Sequence, residues 1–95
     1  MVKQIQFLKL LDHCIHIINR YTNKEIYPEF ALYTKRYNRM LEEIDQIKEA
    51  IKQDNLATDF NALEITNMLD HNDPVEIIHH VLQLNHFYET YYKKI

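Results

Sequence analysis

The residues of this chain that could most readily do chemistry are its histidines, six in 95 residues. His13 and His16 alternate with Lys9 and Arg20 at steps of four, three and four, which places all four side chains on one stripe of a helix. Such a stripe is cationic at neutral pH and gains charge below about pH 6.5, where histidine takes up a proton. It predicts a site for an anion or for an acidic partner. The alternative is a solvated helix face, because the side opposite a core is polar by default.

A metal site is a sharper hypothesis for the same residue type. Glu76 and His79 have the Glu-x-x-His spacing of carboxylate-bridged di-iron bundles. Those bundles need the pair twice, and no other glutamate in the sequence has a histidine three positions later. His13 and His16 could hold one ion from adjacent helical turns, but no third ligand can be assigned. We therefore predict no metal and no other cofactor.

Nucleic-acid binding is a second function class that the sequence leaves open. Residues 64 to 82 have the lengths of a helix–turn–helix, although the turn lacks the usual glycine. The helix that would enter a groove carries no lysine or arginine to hold phosphate and presents Glu76, His79, His80 and Gln83. The formal net charge of −3 also differs from the strongly basic balance of nucleic-acid binders. Nucleic acid is therefore not the predicted partner.

Catalysis has little support from the residue types present. The chain contains no glycine, so it cannot build a glycine-rich phosphate loop, and it contains no serine. Its one cysteine, Cys14, lies on the apolar side of the first helical pattern, where it is predicted to be a buried small hydrophobe. The two commonest nucleophiles are thus missing or covered. We predict that the protein is not an enzyme and has no small-molecule substrate.

Tyrosines are the residues best suited to contact another protein. Tyr33 and Tyr37 lie on the second helical pattern, and Tyr88, Tyr91 and Tyr92 lie on the last. A tyrosine can bury its ring while its hydroxyl stays at a wet rim. The apolar faces of the helices also look larger than 95 residues can hide. We predict a homodimer or a stable hetero-complex that uses one of these two groups. The alternative is a monomer whose last helix fills the groove left by the others.

The clearest helical pattern that could position these side chains runs from Phe30 to Ile51. Apolar residues follow one another there at unbroken steps of three and four, the spacing that keeps one stripe facing a neighbouring helix: Phe30, Tyr33, Tyr37, Met40, Ile44, Ile47 and Ile51. We predict a helix from about Tyr27 to Gln53. Pro28 is tolerated in its first turn, and Asp54 and Asn55 end it.

Two further long helices and one ambiguous segment complete the pattern. The first helix is predicted from about Lys3 to Tyr21, with an apolar arc broad enough to contact two neighbours. The last helix is predicted to have Asp73 as its N-cap and Pro74 at its first position, and to run to about Lys93. Between them, residues 56 to 70 carry apolar side chains on both sides, which favours a short helix buried among the others.

Composition agrees with an all-α fold. Without glycine and with only two prolines, tight β-hairpins would be hard to build. A lone cysteine excludes an intramolecular disulfide, and the first residues lack the continuous apolar stretch of a signal peptide or a membrane span. We predict a single domain over residues 1–95, made of about four mostly antiparallel helices, three long and one short. We expect it in the cytoplasm, without membrane contact.

These observations predict a non-enzymatic interaction protein that binds a macromolecular partner, or itself, through a helix face. Small regulators, inhibitors and immunity or antitoxin proteins are often helical and of this length, which is an analogy of size and style that no residue establishes. A DNA-associated regulator of transcription or replication is the alternative function. A metal- or ligand-binding bundle is the third.

Overall fold

Three α-helices form the frame of the protein. The computed structural model describes residues 2–57 and 62–93. In chain order its elements are α1 (Val2–Tyr21), a first 3-10 helix (Pro28–Tyr33), α2 (Thr34–Lys52), a second 3-10 helix (Glu64–Met68) and α3 (Val75–Tyr91). No strand occurs in these ranges, so the predicted all-α class is confirmed. The three long helices form, and the predicted short one is a 3-10 helix.

Helix α1 packs against α3 in the antiparallel direction. The Lys3 ammonium group, near the start of α1, donates a hydrogen bond to the Tyr91 carbonyl oxygen at the end of α3, at 3.3 Å. At the other end of the pair, the Arg20 guanidinium contacts the Glu76 carboxylate at 3.2 Å. Both contacts are exposed, so their distances define the direction of packing more than they stabilise it.

Helix α1 is also antiparallel to α2. Gln4 reaches Asp54, just beyond the end of α2, at 3.5 Å, and the Lys48 ammonium group lies 2.7 Å from the Asp12 carboxylate. Because α2 and α3 both oppose α1, they run parallel to each other. A parallel pair cannot be joined by a tight turn, so the chain must travel back along the molecule between them.

We call this connection the return segment, residues 53–57 and 62–74. The Tyr88 hydroxyl, near the end of α3, donates to the Ala57 carbonyl at 3.0 Å. Asn85, which is closer to the start of α3, accepts a hydrogen bond on its side chain from the Leu63 N–H at 2.8 Å. The buried side chains of Leu63 and Ile65 then fill the space between α2 and α3. The groove between the parallel helices is thus closed by the chain's own connection.

The core is one continuous cluster to which every long helix contributes. From α2 it takes the predicted stripe between Tyr37 and Ile51, which confirms the buried face of this helix. Cys14 is fully buried there as predicted, and its burial raises the pKa of the thiol to about 12. Within the described ranges, no helix is both long enough and apolar enough to cross a bilayer.

The predicted start of the second helix is wrong in detail. Residues Pro28–Tyr33 form a 3-10 helix, and α-helical geometry begins only at Thr34. A 3-10 helix stacks residues i and i+3 directly above one another. The rings of Phe30 and Tyr33, three residues apart, lie side by side with their centroids 6.0 Å apart. Contact between neighbouring aromatic rings therefore accompanies the tighter coil.

The end of α2 follows the prediction and shows how a chain without glycine stops a helix. Asp54 takes the left-handed conformation, with φ at 55°. The Asn55 N–H then bonds the Ala50 carbonyl at 2.9 Å and the Asp54 N–H bonds the Ile51 carbonyl at 3.1 Å, the pattern of a Schellman motif. Aspartate tolerates this conformation better than most residues that carry a Cβ.

The helix expected over residues 56 to 70 is shorter in the part that the structure describes. Among residues 56–57 and 62–70, only Glu64–Met68 is helical, as a 3-10 turn, and Leu63 and Leu69 on either side of it are extended. Residues 58–61 of the expected helix, with Phe60, lie outside the described residues. Side-chain hydrogen bonds add to the backbone ones here. The Leu63 N–H donates to the Asn85 side chain, and the Leu63 carbonyl accepts from the Thr66 N–H at 3.0 Å and from the Thr66 hydroxyl at 2.7 Å.

The α2 stripe gives a direct test of the core. Replacing fully buried Ile44 by alanine should lower the free energy of unfolding by about 2–5 kcal/mol, because it removes apolar contacts and leaves a cavity. Replacing exposed Gln46 by alanine should change it by less than about 0.5 kcal/mol. Urea unfolding followed by circular dichroism measures both, and equal effects would contradict this packing.

Candidate protein-binding surface

A buried carboxylate joins the return segment to the start of α2. The Asp73 side chain has no exposed surface. Its two oxygens accept hydrogen bonds from the Arg36 guanidinium at 2.6 and 2.8 Å, from the Tyr37 hydroxyl at 2.9 Å and from the Asp70 N–H at 2.9 Å. Four donors on one carboxylate satisfy it fully, which is the condition under which a buried charge is tolerated.

Burial and hydrogen bonding around Asp73 shift the pKa values of Asp73 and Tyr37. Burial by itself would raise the pKa of Asp73, but the hydrogen bonds from Arg36, Asp70 and Tyr37 outweigh it, and the net effect lowers the pKa. The pKa of Tyr37 is raised by burial and by its hydrogen bond to the ionised Asp73. The group is therefore a carboxylate paired with a guanidinium and a neutral phenol.

The predicted role of Asp73 as an N-cap is wrong. Its carboxylate points inward to Arg36 and Tyr37 and makes no capping bond to α3. The Pro74 carbonyl begins the hydrogen bonding of α3, because it accepts from the Ile77 N–H at 3.0 Å and from the Ile78 N–H at 3.1 Å. The sequence around Asp73 fits an N-cap, but the Asp73 carboxylate bonds the Arg36 guanidinium of α2 and not the backbone of α3.

Arg36 links this buried centre to an aromatic surface. Its guanidinium lies over the rings of Tyr33 and Tyr37, 5.2 and 5.1 Å from their centroids, and donates a hydrogen bond to the Met68 carbonyl at 2.9 Å. Beside it is a cleft of about 340 Å³ lined by Arg36, Arg39, Glu64, Asn67, Met68, Leu69 and Asp70. The cleft is the seam between α2 and the return segment, and the Arg36 charge there is already satisfied by Asp73.

Beyond Tyr33 the aromatic rings form a row. The centroids of Tyr33, Phe30 and Tyr27 are separated by 6.0 and 6.2 Å. Three residues of a 3-10 helix rise by about 6 Å, which accounts for the spacing of Phe30 and Tyr33. Tyr27 directly precedes this helix. Tyr21 at the end of α1 closes the row, 4.5 Å from Tyr27 and edge-on to Phe30 at 5.5 Å. All four of these rings are partly exposed, so the row is accessible from outside.

Two large aliphatic side chains stand in solvent beside this row. Leu32 is 90% exposed and Ile26 is 62% exposed. Leu32 belongs to the same 3-10 helix as Phe30, and Ile26 directly precedes Tyr27. We call the surface made by Ile26, Tyr27, Phe30, Leu32 and Tyr33 the aromatic end. It combines rings that pack on neighbouring side chains with two aliphatic side chains that are mostly exposed.

The five tyrosines predicted to bind a partner fall into three places. Tyr37 and Tyr88 have no exposed surface and belong to the core of the single chain, so in this fold they cannot reach a partner. Both hydroxyls bond within the chain, which is how their rings can be buried completely. Tyr33 is half-buried at the aromatic end. Tyr91, 52% exposed, and half-buried Tyr92 lie at the opposite end of the bundle.

The predicted cationic stripe stays on one side of α1. Lys9, His13, His16 and Arg20 are all exposed, and Arg20 is partly neutralised by Glu76. Among the described residues, no three histidine, cysteine, aspartate or glutamate side chains are placed to share a metal ion. The stripe is thus an exposed feature of α1, and its last member, Arg20, directly precedes Tyr21 of the aromatic row.

Comparisons of the chain with protein-family models, with curated proteins and with solved structures found no match. Function must therefore be inferred from the residues of this chain. From the sequence, Asp73 was predicted to be an N-cap and not the partner of Arg36 and Tyr37. Leu32 was not selected from the sequence as a candidate. The only signal for Leu32 was its position off the buried stripe, between Phe30 and Tyr33.

The Asp73 centre predicts a pH-dependent stability. Asp73→Asn should cost about 3 kcal/mol at pH 7, near the low end for a broken buried pair because Arg36 is partly exposed. The folded pKa of Asp73 lies below the unfolded value of about 3.9, so its contribution is complete above that pH and is lost as the pH falls through the folded pKa.

The difference between the original protein and Asp73→Asn should accordingly shrink from pH 7 to pH 3 in urea unfolding. Asp45→Asn is the matched control, because Asp45 is exposed on α2, and it should change stability by less than about 0.5 kcal/mol. A constant difference at both pH values would show that Asp73 is not the group that titrates.

Proposed function

We propose that this protein is a non-enzymatic interaction protein that binds another protein through its aromatic end. The observation that carries the proposal is the 90% exposure of Leu32 on a 3-10 helix whose Tyr33 ring packs against the Arg36 guanidinium. Single exposed aliphatic residues are ordinary on protein surfaces. Here Leu32 and Ile26 are neighbours in sequence of the partly exposed Tyr33 and Tyr27, which gathers several exposed apolar groups in one stretch of chain, as expected of a surface that a partner covers.

The composition of the aromatic end supports a protein as the ligand. Tyrosine and phenylalanine are enriched at protein interfaces, and tyrosine often carries much of the binding energy. Tyr33 is held between the Arg36 guanidinium and Phe30, and Tyr27 packs on Tyr21 at 4.5 Å. Rings already held in position lose little conformational freedom on binding, which lowers the entropic cost of association.

The state of the possible nucleophile supports a non-enzymatic role. The Cys14 thiol is buried and its pKa is raised to about 12, so almost none of it is thiolate at neutral pH. The sequence has no serine to take its place. A binding function requires neither a reactive cysteine nor a serine.

The alternative of a DNA-associated regulator gains no particular support. Its helix–turn–helix would pair α3 with the segment before it, and that segment is the five-residue 3-10 helix Glu64–Met68. The exposed Glu76 and His79 of α3 still offer no cation for phosphate. A cytoplasmic location belongs to the proposal as an expectation from the sequence.

A photo-reactive amino acid placed at position 32 tests the proposal in the native cell. If the aromatic end binds a protein, irradiation should give one dominant crosslinked product from position 32, identified by mass spectrometry. The same residue placed at Gln46, exposed on the far side of α2's buried stripe, should give no such product. With the partner purified, Leu32→Glu should weaken binding by on the order of tenfold or more, as expected when a charge enters an apolar contact.

Two results would contradict the proposal. The first is equal labelling from positions 32 and 46, which would mean that neither surface is covered. The second is a Leu32→Glu protein that keeps its helical circular-dichroism signal and binds the crosslinked partner unchanged. Because Leu32 is almost fully exposed, this substitution leaves the core intact, so a loss of binding cannot be attributed to unfolding.

A further inference from the structure

The charges around the aromatic end are balanced. Lys24 and Glu25 directly precede Ile26, and Glu29 and Lys35 lie within and just after the first 3-10 helix. All four side chains are exposed, and none forms an ion pair with another residue in the described part of the chain. The apolar surface is thus bordered by two cations and two anions that are free to pair with a partner.

This balance restricts the kind of partner that fits. A strongly acidic partner would approach Glu25 and Glu29, and a strongly basic one would approach Lys24 and Lys35. Like charges brought together at an interface repel each other, which disfavours such a partner. A partner that also carries two cations and two anions around an apolar centre can place an opposite charge against each of them.

A second copy of this chain carries the same two cations and two anions around the same apolar side chains. In a two-fold symmetric contact, any residue i that meets residue j is matched by j meeting i, so each lysine–glutamate pairing across the axis occurs twice. The apolar centres, with Leu32 and Ile26, face each other in the same contact. Each whole chain carries a net charge of −3, so two copies repel at long range, and a neutral contact surface reduces that repulsion where it would be strongest.

We propose that the aromatic end is the contact surface of a symmetric homodimer in which Lys24 and Lys35 of each chain pair with Glu25 and Glu29 of the other. This inference rests on the proposed function, since it names the partner of the same surface. The charged rim sets which partner is accepted and in what orientation, and the apolar centre supplies most of the affinity.

Two charge-reversed proteins test the pairing without knowledge of its register. One carries Glu25→Lys with Glu29→Lys, and the other carries Lys24→Glu with Lys35→Glu. Each alone places only like charges across the two-fold axis, so its dimer dissociation constant should rise by on the order of tenfold or more relative to the original protein. When the two are mixed, every rim contact is again between opposite charges, and a heterodimer should form with near-original affinity.

Analytical ultracentrifugation gives the dissociation constants, and native mass spectrometry distinguishes the heterodimer by its mass. Glu42→Lys with Asp45→Lys is the matched control, because both residues are exposed on α2 and the change in net charge equals that of the first variant. It should dimerise as the original protein does. Circular dichroism confirms that all four proteins are folded.

The outcomes separate this inference from the proposed function. A protein that stays monomeric at about 100 μM, while position 32 crosslinks to a different protein, overturns the homodimer and leaves the proposed function standing. A dimer whose affinity is unchanged in both rim variants overturns the pairing and places the contact elsewhere. A monomer without any crosslink at position 32 overturns both. The inference is supported if each charge-reversed protein alone dimerises weakly and the mixture of the two forms a heterodimer with near-original affinity.

Discussion

The ion pair between Arg36 and Asp73 is the interaction on which the path of the chain depends. It is placed where the return segment reaches the start of α2, and its carboxylate has no contact with solvent. Taking these charges out of water costs several kcal/mol, so the pair is stable only because Tyr37 and the Asp70 N–H complete its hydrogen bonds. An apolar contact is non-directional, whereas the four hydrogen bonds of Asp73 depend on the distances and angles to Arg36, Tyr37 and Asp70.

Two buried tyrosines extend the same principle to both ends of the return segment. Tyr88 of α3 holds its beginning through the Ala57 carbonyl, and Tyr37 of α2 holds its end through Asp73. Between these points, Leu63 and Ile65 supply the apolar contacts that fill the groove. Apolar burial therefore supplies the stability of the parallel α2–α3 arrangement, while a few directional bonds select it from other ways of connecting the same helices.

The sequence was sufficient for features that depend on nearby residues. The buried face of α2 and its end at Asp54 follow from three-four spacing and from local backbone chemistry. The partner of Asp73 did not follow, because Arg36 is distant in sequence and the local N-cap pattern is equally good. Tyr37 was also ambiguous, since a ring that fills a core and a ring that meets a partner have the same spacing. The half-exposed state of Tyr33 likewise needed the 3-10 geometry of Pro28–Tyr33, which apolar periodicity does not distinguish from an α-helical turn.

The antiparallel packing of α1 on α3 has a consequence for the shape of any assembly. It brings Lys3 and Tyr91 into contact at the end of the bundle opposite the aromatic end, in a body 41 Å along its longest axis. Two copies joined at their aromatic ends would carry the segments near Lys3 and Tyr91 at the two outer ends of the pair. Any domain or surface attached at one of these segments would then be held apart from its counterpart by the bodies of both copies, which would act as a spacer.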